Sequence, residues 1–370
     1  MLSFAQFNDE AREQISSTFC SSFGSPAQLR PTLFVHDNKP AVSSTAQSGF
    51  LSQTESLRLI TQRLYEKALS PTQLENFIHC PYAFFVENIL RVKSQHSRDH
   101  ELPAQERGTI LHKILEKFYR QYHQQWEILA HTLTNEQEIK DLLKPFLDEI
   151  LQEYPQEWKH IAAPLRKHIL QLISQNLSTL LWSELQSIKQ LANPLLPRVF
   201  EWNFGNSADP FEVTLPSGKK IKLTGKVDRI DLDKSETHFL VLDYKTGKKQ
   251  ESLRNKIPDG EHLQLPLYHL AVQKKIFPQA QGLGAMIINV PEAQKEFGWI
   301  KKASYRERFS ILSPRKAEFT PEAWEDGLNS ALSACDRIIQ KMEAGNFQTE
   351  KLCEQCKRKN LERCRYQRDE

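Results

Sequence analysis

The sequence lacks the features of a membrane-embedded, exported or fibrous protein. No part of its 370 residues approaches the roughly 18 consecutive apolar residues of a membrane span. The first residues contain no basic run followed by an apolar one, so they do not resemble a secretory signal. Glycine is scarce, with 13 residues, while 39% of the residues are hydrophobic, which excludes collagen-like and fully disordered chains. We therefore predict a cytoplasmic globular protein with no membrane partner.

A strong charge of one sign is also missing. The 49 lysines and arginines nearly balance the 46 aspartates and glutamates, which leaves a net charge of +3. This balance does not by itself indicate a nucleic-acid-binding protein, so any basic surface must be local. A Gly-X4-Gly-Lys-Ser/Thr phosphate loop is absent as well, and the sequence therefore predicts no ATP-driven motor of its own.

Cysteine is not abundant either, but its distribution is uneven. Three of the six cysteines, Cys353, Cys356 and Cys364, lie within twelve residues. In a sequence without an export signal, such clustering favours metal binding over disulfide bonds. Cys80, at the end of a predicted helix, is the natural fourth ligand, and four thiolates suit either Zn²⁺ or an iron–sulfur cluster. The alternative is a redox-active or simply buried set of cysteines.

The hydrophobic pattern changes from helical to strand-like along the chain. Residues 1–68 are weakly patterned, and we interpret them as a linker or N-terminal segment. Helical spacing then prevails, with a large helical insertion at about residues 123–196. The later apolar runs predict a mixed α/β core, in which a β-sheet is flanked by helices. The predicted strands cover residues 199–204, 213–215, 221–231, 239–242 and 283–290, and the strands at 213–215 and 221–231 are predicted to form a β-hairpin. The apolar run at 239–242 predicts a strand that is buried on both faces. The later helices cover residues 262–275 and 320–344.

Two carboxylates and a lysine carry the clearest chemical signal. Asp228 lies in a predicted strand between apolar neighbours. Asp243 and Lys245 follow the next apolar run, two positions apart and therefore on one face of a strand. Two carboxylates can bind Mg²⁺ or Mn²⁺, and a lysine beside them can orient or deprotonate a water molecule. The alternative interpretation of Asp243 and Lys245 is a surface ion pair at a strand end.

The order of these residues resembles the PD-(D/E)XK nuclease superfamily, in particular its RecB- and AddB-like branch. Asp228, in Gly-Lys-Val-Asp-Arg, matches the second motif of that family. Asp243 and Lys245, in Asp-Tyr-Lys-Thr-Gly, match the third. The resemblance implies that Asp228 and Asp243 hold a divalent metal and that Lys245 positions the attacking water.

Two further motifs extend the resemblance on either side. His112 ends Arg-Gly-Thr-Ile-Leu-His, which looks like the first motif of the branch, whose histidine assists metal binding. Gln264 and Tyr268 look like its Gln-X-X-X-Tyr motif, which lines the active site and the DNA channel. Taken singly, His112 could be a histidine at the edge of the hydrophobic core. Gln264 and Tyr268 could be ordinary residues of an amphipathic helix. These matches, all in the order of the family, argue against coincidence.

The resemblance also implies a fold and a second cofactor. The implied fold is a restriction-endonuclease-like mixed β-sheet core over residues 69–370, with a C-terminal tail at residues 346–370. One cysteine before the nuclease motifs and three after them resemble the iron–sulfur staple of AddB-type nuclease domains. The resemblance therefore implies a [4Fe–4S] cluster on Cys80 and the three tail cysteines, with Zn²⁺ as the alternative.

The implied activity is that of a metal-dependent DNA exonuclease in repair or recombination. Its substrate would be single-stranded DNA or duplex ends, and a helicase subunit is a candidate partner. One alternative is a non-catalytic, Fe–S-stapled DNA-binding or scaffold subunit of a helicase–nuclease complex. Another is that the chain is a piece of a longer enzyme of this kind.

Two weaker expectations concern further charged residues. Glu201, on an earlier predicted strand, could join the site as another acid, although a lone strand glutamate more often faces solvent. Cations at residues 301–316, near Trp299, Tyr305 and Phe309, and cations at residues 357–368 could bind phosphates, with the aromatic rings stacking on bases. The alternative for both stretches is a solvated helix face.

Overall fold

The structure is a computed structural model, and its described residues cover the predicted core. They are residues 51, 53–91, 104–153, 161–247, 253, 255–302, 305–310 and 314–348. All of them belong to one structural unit, Ser48–Glu370. The segment up to residue 50 and the tail with Cys353, Cys356 and Cys364 lie outside the described residues, so what we expect of them stays a prediction.

Helices account for most of the described chain before residue 190, as the apolar spacing predicts. The second helix begins at a capping box, in which the Gln73 N–H donates to Ser70 Oγ at 3.2 Å and the Ser70 N–H donates to Gln73 Oε1 at 2.9 Å. In chain order the helices are α1 (Thr54–Glu66), α2 (Pro71–His79), α3 (Pro81–Phe84), α4 (Ala104–Tyr122), α5 (Trp126–Thr132), α6 (Glu136–Glu153), α7 (Ala163–Ile188), α8 (Gln264–Lys275), α9 (Pro314–Ala317) and α10 (Pro321–Glu343).

The central sheet is mixed, as predicted. Its six strands lie in the order β1-β4-β5-β6-β7-β8, and β5 and β6 are parallel, with α8 as their crossover. Strands β1 and β4, β4 and β5, and β6 and β7 are antiparallel, while β7 and β8 are parallel. The strands are β1 (Leu196–Phe204), β2 (Phe211–Thr214), β3 (Lys220–Leu223), β4 (Gly225–Leu232), β5 (His238–Lys245), β6 (Gln281–Asn289), β7 (Gln294–Lys301) and β8 (Glu318–Phe319).

Strand β5 is buried on both faces, which confirms the prediction from its continuous apolar run. Phe239 and Val241 pack into one hydrophobic core, with side chains of α1, α2, α8 and α10. Leu240 and Leu242 pack into a second core on the opposite face, which α4 to α7 cover. Because both cores enclose β5, residues at its C-terminal end are fixed between two packed layers.

The hairpin predicted over residues 213–231 is wrong in its second half. Strands β2 and β3 form a separate two-stranded sheet, and the chain leaves it at Thr224 to begin β4 in the central sheet. The break has a tertiary cause: the Thr224 N–H donates to the Leu69 carbonyl at 3.0 Å, and its hydroxyl donates to the Phe204 carbonyl at 2.9 Å. These contacts turn the chain toward β1, so Asp228 lies in a strand of the central sheet.

The long last helix agrees with its sequence signals. Thr320 accepts the Ala323 N–H at 3.3 Å as the N-terminal cap of α10, and Gly345 follows its end with a φ of +67°. Among the described residues, no helix has the length and apolarity needed to cross a membrane.

Candidate functional site

Asp228 lies where the pairing of β4 with β5 ends. The last ladder pair on this side is Arg229 with Leu242, and beyond it the Asp228 Oδ2 accepts the backbone N–H of Tyr244 at 2.7 Å. Tyr244 stands between Asp243 and Lys245 in β5. The local sequence therefore brings the second and third predicted motifs together, because a side-chain carboxylate takes the place of the next ladder hydrogen bond.

His112, from α4, joins Asp228 on its other carboxylate oxygen. The His112 Nδ1 lies 3.3 Å from Asp228 Oδ1 and 3.4 Å from Glu201 Oε1. Burial lowers the pKa of His112, but the two carboxylates outweigh this effect and raise the pKa to about 10. His112 is therefore a cation that pairs with two acids in this arrangement.

Glu201 is buried, with 7% of its surface exposed, so the expectation that it faces solvent is wrong. Its backbone has a φ of +50°, which interrupts the alternation of β1 and places both Phe200 and Glu201 in buried positions. Its second carboxylate oxygen forms an ion pair with Lys226. Burial raises the pKa of Glu201, but His112 and Lys226 lower it overall, so the carboxylate is ionised.

Three of these residues have the spacing of a metal site. One ligand atom from each of His112, Glu201 and Asp228 lies within 4.8 Å of the other two. A nitrogen and two carboxylate oxygens are donors that Mg²⁺ or Mn²⁺ accepts. The donor set of His112, Glu201 and Asp228 therefore fits a divalent metal. Asp243, which the sequence also predicts as a ligand, is not in this group, and its oxygens contact Lys245 and Gln264.

Asp243 and Lys245 are joined by Gln264, the first residue of α8. The Lys245 Nζ lies 2.7 Å from Asp243 Oδ2 and donates to Gln264 Oε1 at 3.1 Å. The Gln264 Nε2 donates to Asp243 Oδ1 at 2.6 Å. Burial lowers the pKa of Lys245, but the Asp243 charge outweighs this effect and raises it, so the lysine is an ammonium ion. The three side chains form a closed triangle of polar contacts.

Tyr268 lies one helical turn after Gln264, on the same face of α8. Only 6% of its surface is exposed, and its ring packs edge-to-face on Phe204 at 5.8 Å. Gly225 leaves room for this ring, because a Cβ at that position would lie 2.8 Å from it. Tyr268 therefore packs in the core, one turn from the residue that joins Asp243 to Lys245.

A buried charged network lies beside Asp228, and the sequence analysis did not find it. The Arg229 guanidinium pairs with Asp231 at 2.5 Å and with Glu184 of α7 at 2.8 Å, and it donates to the Tyr119 hydroxyl at 2.6 Å. Only Arg229 and Asp231 are close in the sequence, and Tyr119 and Glu184 come from distant helices. No local sequence pattern therefore predicts this network. The network connects β4 to the helical layer of α4 and α7.

Glu75, on α2, is a second site neighbour that the sequence analysis missed. Its Oε1 accepts the backbone N–H groups of Leu263 at 2.8 Å and Gln264 at 2.9 Å. A separation of nearly 190 residues hides this contact from any local pattern.

Cys80 is the one predicted cluster ligand among the described residues. It is half-buried and caps α3, where its Sγ accepts the Ala83 N–H at 3.3 Å. Cys335 is fully buried in α10, and burial raises the pKa of its thiol to about 12.

The basic stretch at residues 301–316 does not offer the predicted stacking rings. Trp299, Tyr305 and Phe309 are buried, with at most 5% of their surface exposed. Lys301 lies over the Trp324 ring, at 5.6 Å from its centroid. The prediction that these three aromatic rings stack on bases is therefore wrong. The basic stretch at residues 357–368 lies outside the described residues.

Comparison with known proteins agrees with this geometry. A family model described as the PD-(D/E)XK nuclease superfamily matches residues 68–365. The chain is 32% identical over 230 residues to an ATP-dependent helicase/deoxyribonuclease subunit of Clostridium kluyveri, an alignment that covers 60% of this chain and 19% of that protein. The protein of the same name from Alkaliphilus oremlandii is 30% identical over 221 residues, which cover 56% of this chain and 18% of that protein. The protein of the same name from Clostridioides difficile is 28% identical over 230 residues, which cover 59% of this chain and 19% of that protein.

The chain thus spans about a fifth of the length of the curated relatives that it matches. The family match is wider, since it includes the helical region, the whole sheet and the predicted cysteine ligands. The mixed sheet with flanking helices is the fold that the resemblance implies. On the strength of that match, the chain belongs to the PD-(D/E)XK nuclease superfamily.

Proposed function

We propose that this protein is a metal-dependent DNA nuclease that hydrolyses phosphodiester bonds from DNA ends in repair or recombination. The observation that carries the proposal is the hydrogen bond from the Tyr244 N–H to Asp228, which places Asp228 next to Asp243 and Lys245. Two carboxylates, a histidine and a lysine then meet at the end of two central strands. The names of the relatives, each a helicase/deoxyribonuclease subunit, support DNA as the substrate.

Asp228, Asp243 and His112 would hold Mg²⁺ or Mn²⁺, and Glu201 would add a third carboxylate. The bound metal would supply positive charge that stabilises the negative charge developing on the phosphate. His112 must lose its proton to become a ligand, and its ion pairs with Asp228 and Glu201 would give way at that point. Three donors of the proposed set, from His112, Glu201 and Asp228, already lie within 4.8 Å of one another.

Lys245 would orient the attacking water and balance charge as an ammonium ion. Its pKa is raised by Asp243, which favours this role over that of a base. The side-chain carbonyl oxygen of Gln264 accepts a hydrogen bond from the ammonium group, and the side-chain amide nitrogen of Gln264 donates one to Asp243. The side-chain geometry thereby fixes the lysine relative to the acid two residues before it.

The decisive experiment compares the purified wild type with Lys245→Ala on linear single-stranded and duplex DNA. We expect cleavage that requires Mg²⁺ or Mn²⁺ and stops on addition of a chelator, and we expect Lys245→Ala to lose it. Lys234→Ala is a matched control, because Lys234 is exposed and pairs with Glu127 away from the site. Equal cleavage by wild type and Lys245→Ala would refute the assignment. Metal-independent DNA binding without cleavage would instead favour a scaffold subunit.

We further propose that Cys80 and the three tail cysteines hold a [4Fe–4S] cluster, with Zn²⁺ as the alternative metal. The start of the tail supports this proposal. Phe347 packs on Phe77 and Phe85, with ring centroids 6.0 and 4.8 Å apart, on either side of Cys80 in the sequence. Cys353 is five residues after Gln348 in the sequence, so a fully extended chain between them spans at most about 18 Å.

The test of the cluster is metal analysis of anaerobically purified protein. We expect about four iron atoms per chain and absorbance near 400 nm in the wild type. Cys80→Ala should lose the iron, while Cys335→Ala, a buried cysteine in α10, should keep it. Stoichiometric zinc would identify the alternative metal, and full iron retention in Cys80→Ala would exclude Cys80 as a ligand.

We also propose that the chain works with a helicase partner, because each relative is named as a subunit of a helicase/deoxyribonuclease and this chain has no phosphate loop. The test is co-purification with a DNA-dependent ATPase from cells that express the tagged full chain. The absence of any ATPase from such complexes would contradict the proposal.

A further inference from the structure

Glu75 is the polar side chain of α2 that faces the site. Its carboxylate is largely enclosed, with 17% of the side chain exposed. One oxygen, Oε1, accepts both the Leu263 N–H and the Gln264 N–H, at 2.8 and 2.9 Å. These are backbone donors at the start of α8, and Gln264 is the residue whose side chain joins Asp243 to Lys245.

The start of α8 has no side-chain cap of its own. Leu263 stands at the capping position, and a leucine cannot accept a hydrogen bond. The first N–H groups of a helix have no partner within the helix, and the helix dipole favours a negative charge beside them. Glu75 supplies the acceptor from a distant helix, although burial raises the pKa of its carboxyl.

His262 does not account for the position of Glu75. Its Nδ1 lies 3.8 Å from Glu75 Oε1, which is too long for a hydrogen bond. Burial lowers the pKa of His262 to about 4, so the ring is neutral at neutral pH and forms no ion pair with Glu75. The two backbone N–H groups are therefore the partners that hold the carboxylate.

We propose that Glu75 is a positioning residue for the nuclease site: it caps α8 at Leu263 and Gln264 and thereby holds the Gln264 side chain between Asp243 and Lys245. This inference rests on the proposed nuclease function for its effect on the rate. The side chain of Gln264 makes one contact to the acid and one to the lysine, so a shift of its backbone disturbs both. Small displacements of positioning groups have large effects on rate.

The experiment compares Glu75→Ala with Glu75→Gln in the full chain. Alanine removes the acceptor, whereas glutamine keeps a carbonyl oxygen at the same place. We expect Glu75→Ala to lower kcat by about 10- to 100-fold with a much smaller change in KM, and Glu75→Gln to recover most of that loss. The double variant Glu75→Ala/Gln264→Ala should fall no further than Gln264→Ala alone, because Glu75 acts through Gln264.

A second variant separates positioning from a general weakening of α2. Ser70→Ala removes the capping box of the same helix but leaves Glu75 and its two acceptor contacts in place. It should lower the melting temperature while kcat stays near that of the wild type. If Ser70→Ala and Glu75→Ala lower kcat equally at equal loss of stability, Glu75 is only a structural residue and the proposal is wrong.

A readout without catalysis makes the two proposals distinguishable. Hydrogen exchange at the Leu263 and Gln264 amides should be slow in the wild type, fast in Glu75→Ala and intermediate or slow in Glu75→Gln. A wild type that cleaves no DNA would overturn the proposed function, whereas unchanged amide protection in Glu75→Ala would overturn the role of Glu75 whatever the activity is.

Discussion

The carboxylate of Asp228 and the backbone N–H of Tyr244 form the hydrogen bond that fixes the site, at 2.7 Å. The Tyr244 side chain enters the buried network, where its hydroxyl accepts a hydrogen bond from Arg229 at 3.2 Å. Tyr244 therefore connects the site to the core through its backbone on one side and its side chain on the other.

The first prediction separates the structural role of Asp228 from its proposed metal-binding role. Asp228→Asn keeps an oxygen that can accept the Tyr244 N–H but removes the negative charge, so the fold should remain and metal binding should fail. We expect DNA cleavage to fall by more than about 100-fold, since metal-derived stabilisation of the transition state amounts to several kcal/mol. Single-turnover cleavage assays and titration calorimetry with Mg²⁺ measure the two effects. Wild-type calorimetric affinity in this variant would remove Asp228 from the ligand set.

The second prediction concerns the buried charges beside the site. Arg229→Ala leaves the buried carboxylate of Asp231 without its cation and Glu184 with Lys295 alone, and breaking such a buried pair costs about 3–5 kcal/mol in the free energy of unfolding. Urea denaturation measures the loss. Arg198→Ala is the matched control, because Arg198 pairs with Glu236 on the surface, where ion pairs contribute about 0–1 kcal/mol. Equal losses in the two variants would show that the Arg229 network contributes no more than a surface pair.

The third prediction is a pH dependence of stability that arises from His269. The ring is buried, stacked on Phe239 at 5.2 Å, and burial lowers its pKa from 6.5 to about 4. The unfolded chain therefore binds a proton between pH 6.5 and 4 that the folded chain does not, so this residue makes stability fall as the pH falls through that window. The full effect is on the order of 3 kcal/mol.

The measurement is the free energy of unfolding from about pH 7 to pH 4 for the wild type and His269→Gln. Glutamine has no titrating proton, so the slope in this window should be smaller in the variant whatever its stability at neutral pH. The exposed His131, changed to glutamine, serves as the control for the removal of a histidine. An unchanged slope in His269→Gln would assign the effect to other groups.

The sequence was sufficient for the residues whose positions follow from strand alternation and motif order. Asp228, Asp243 and Lys245 lie together because two apolar strands pair beside them. The apolar runs predict these strands, and the order of the motifs predicts that the three residues form one site. Glu201 could not be placed in the same way, because its positive φ breaks the alternation of β1 and buries both Phe200 and Glu201. Glu75 depends on the packing of α2 against the start of α8, and such a contact has no local signature.

The last prediction concerns the anchor of the tail. Phe347 is 1% exposed and packs on Phe77 and Phe85, so Phe347→Ala should lose about 3–5 kcal/mol in the free energy of unfolding. If the tail cysteines bind a cluster with Cys80, this variant should also lose iron although all its cysteines remain. Phe211→Ala is the matched control, since Phe211 is equally buried but lies in β2. It should lose similar stability and keep its iron. Iron analysis of both variants, purified anaerobically and shown to be folded by circular dichroism, decides the question. Equal iron in the two would mean that Phe347 does not guide the tail to Cys80.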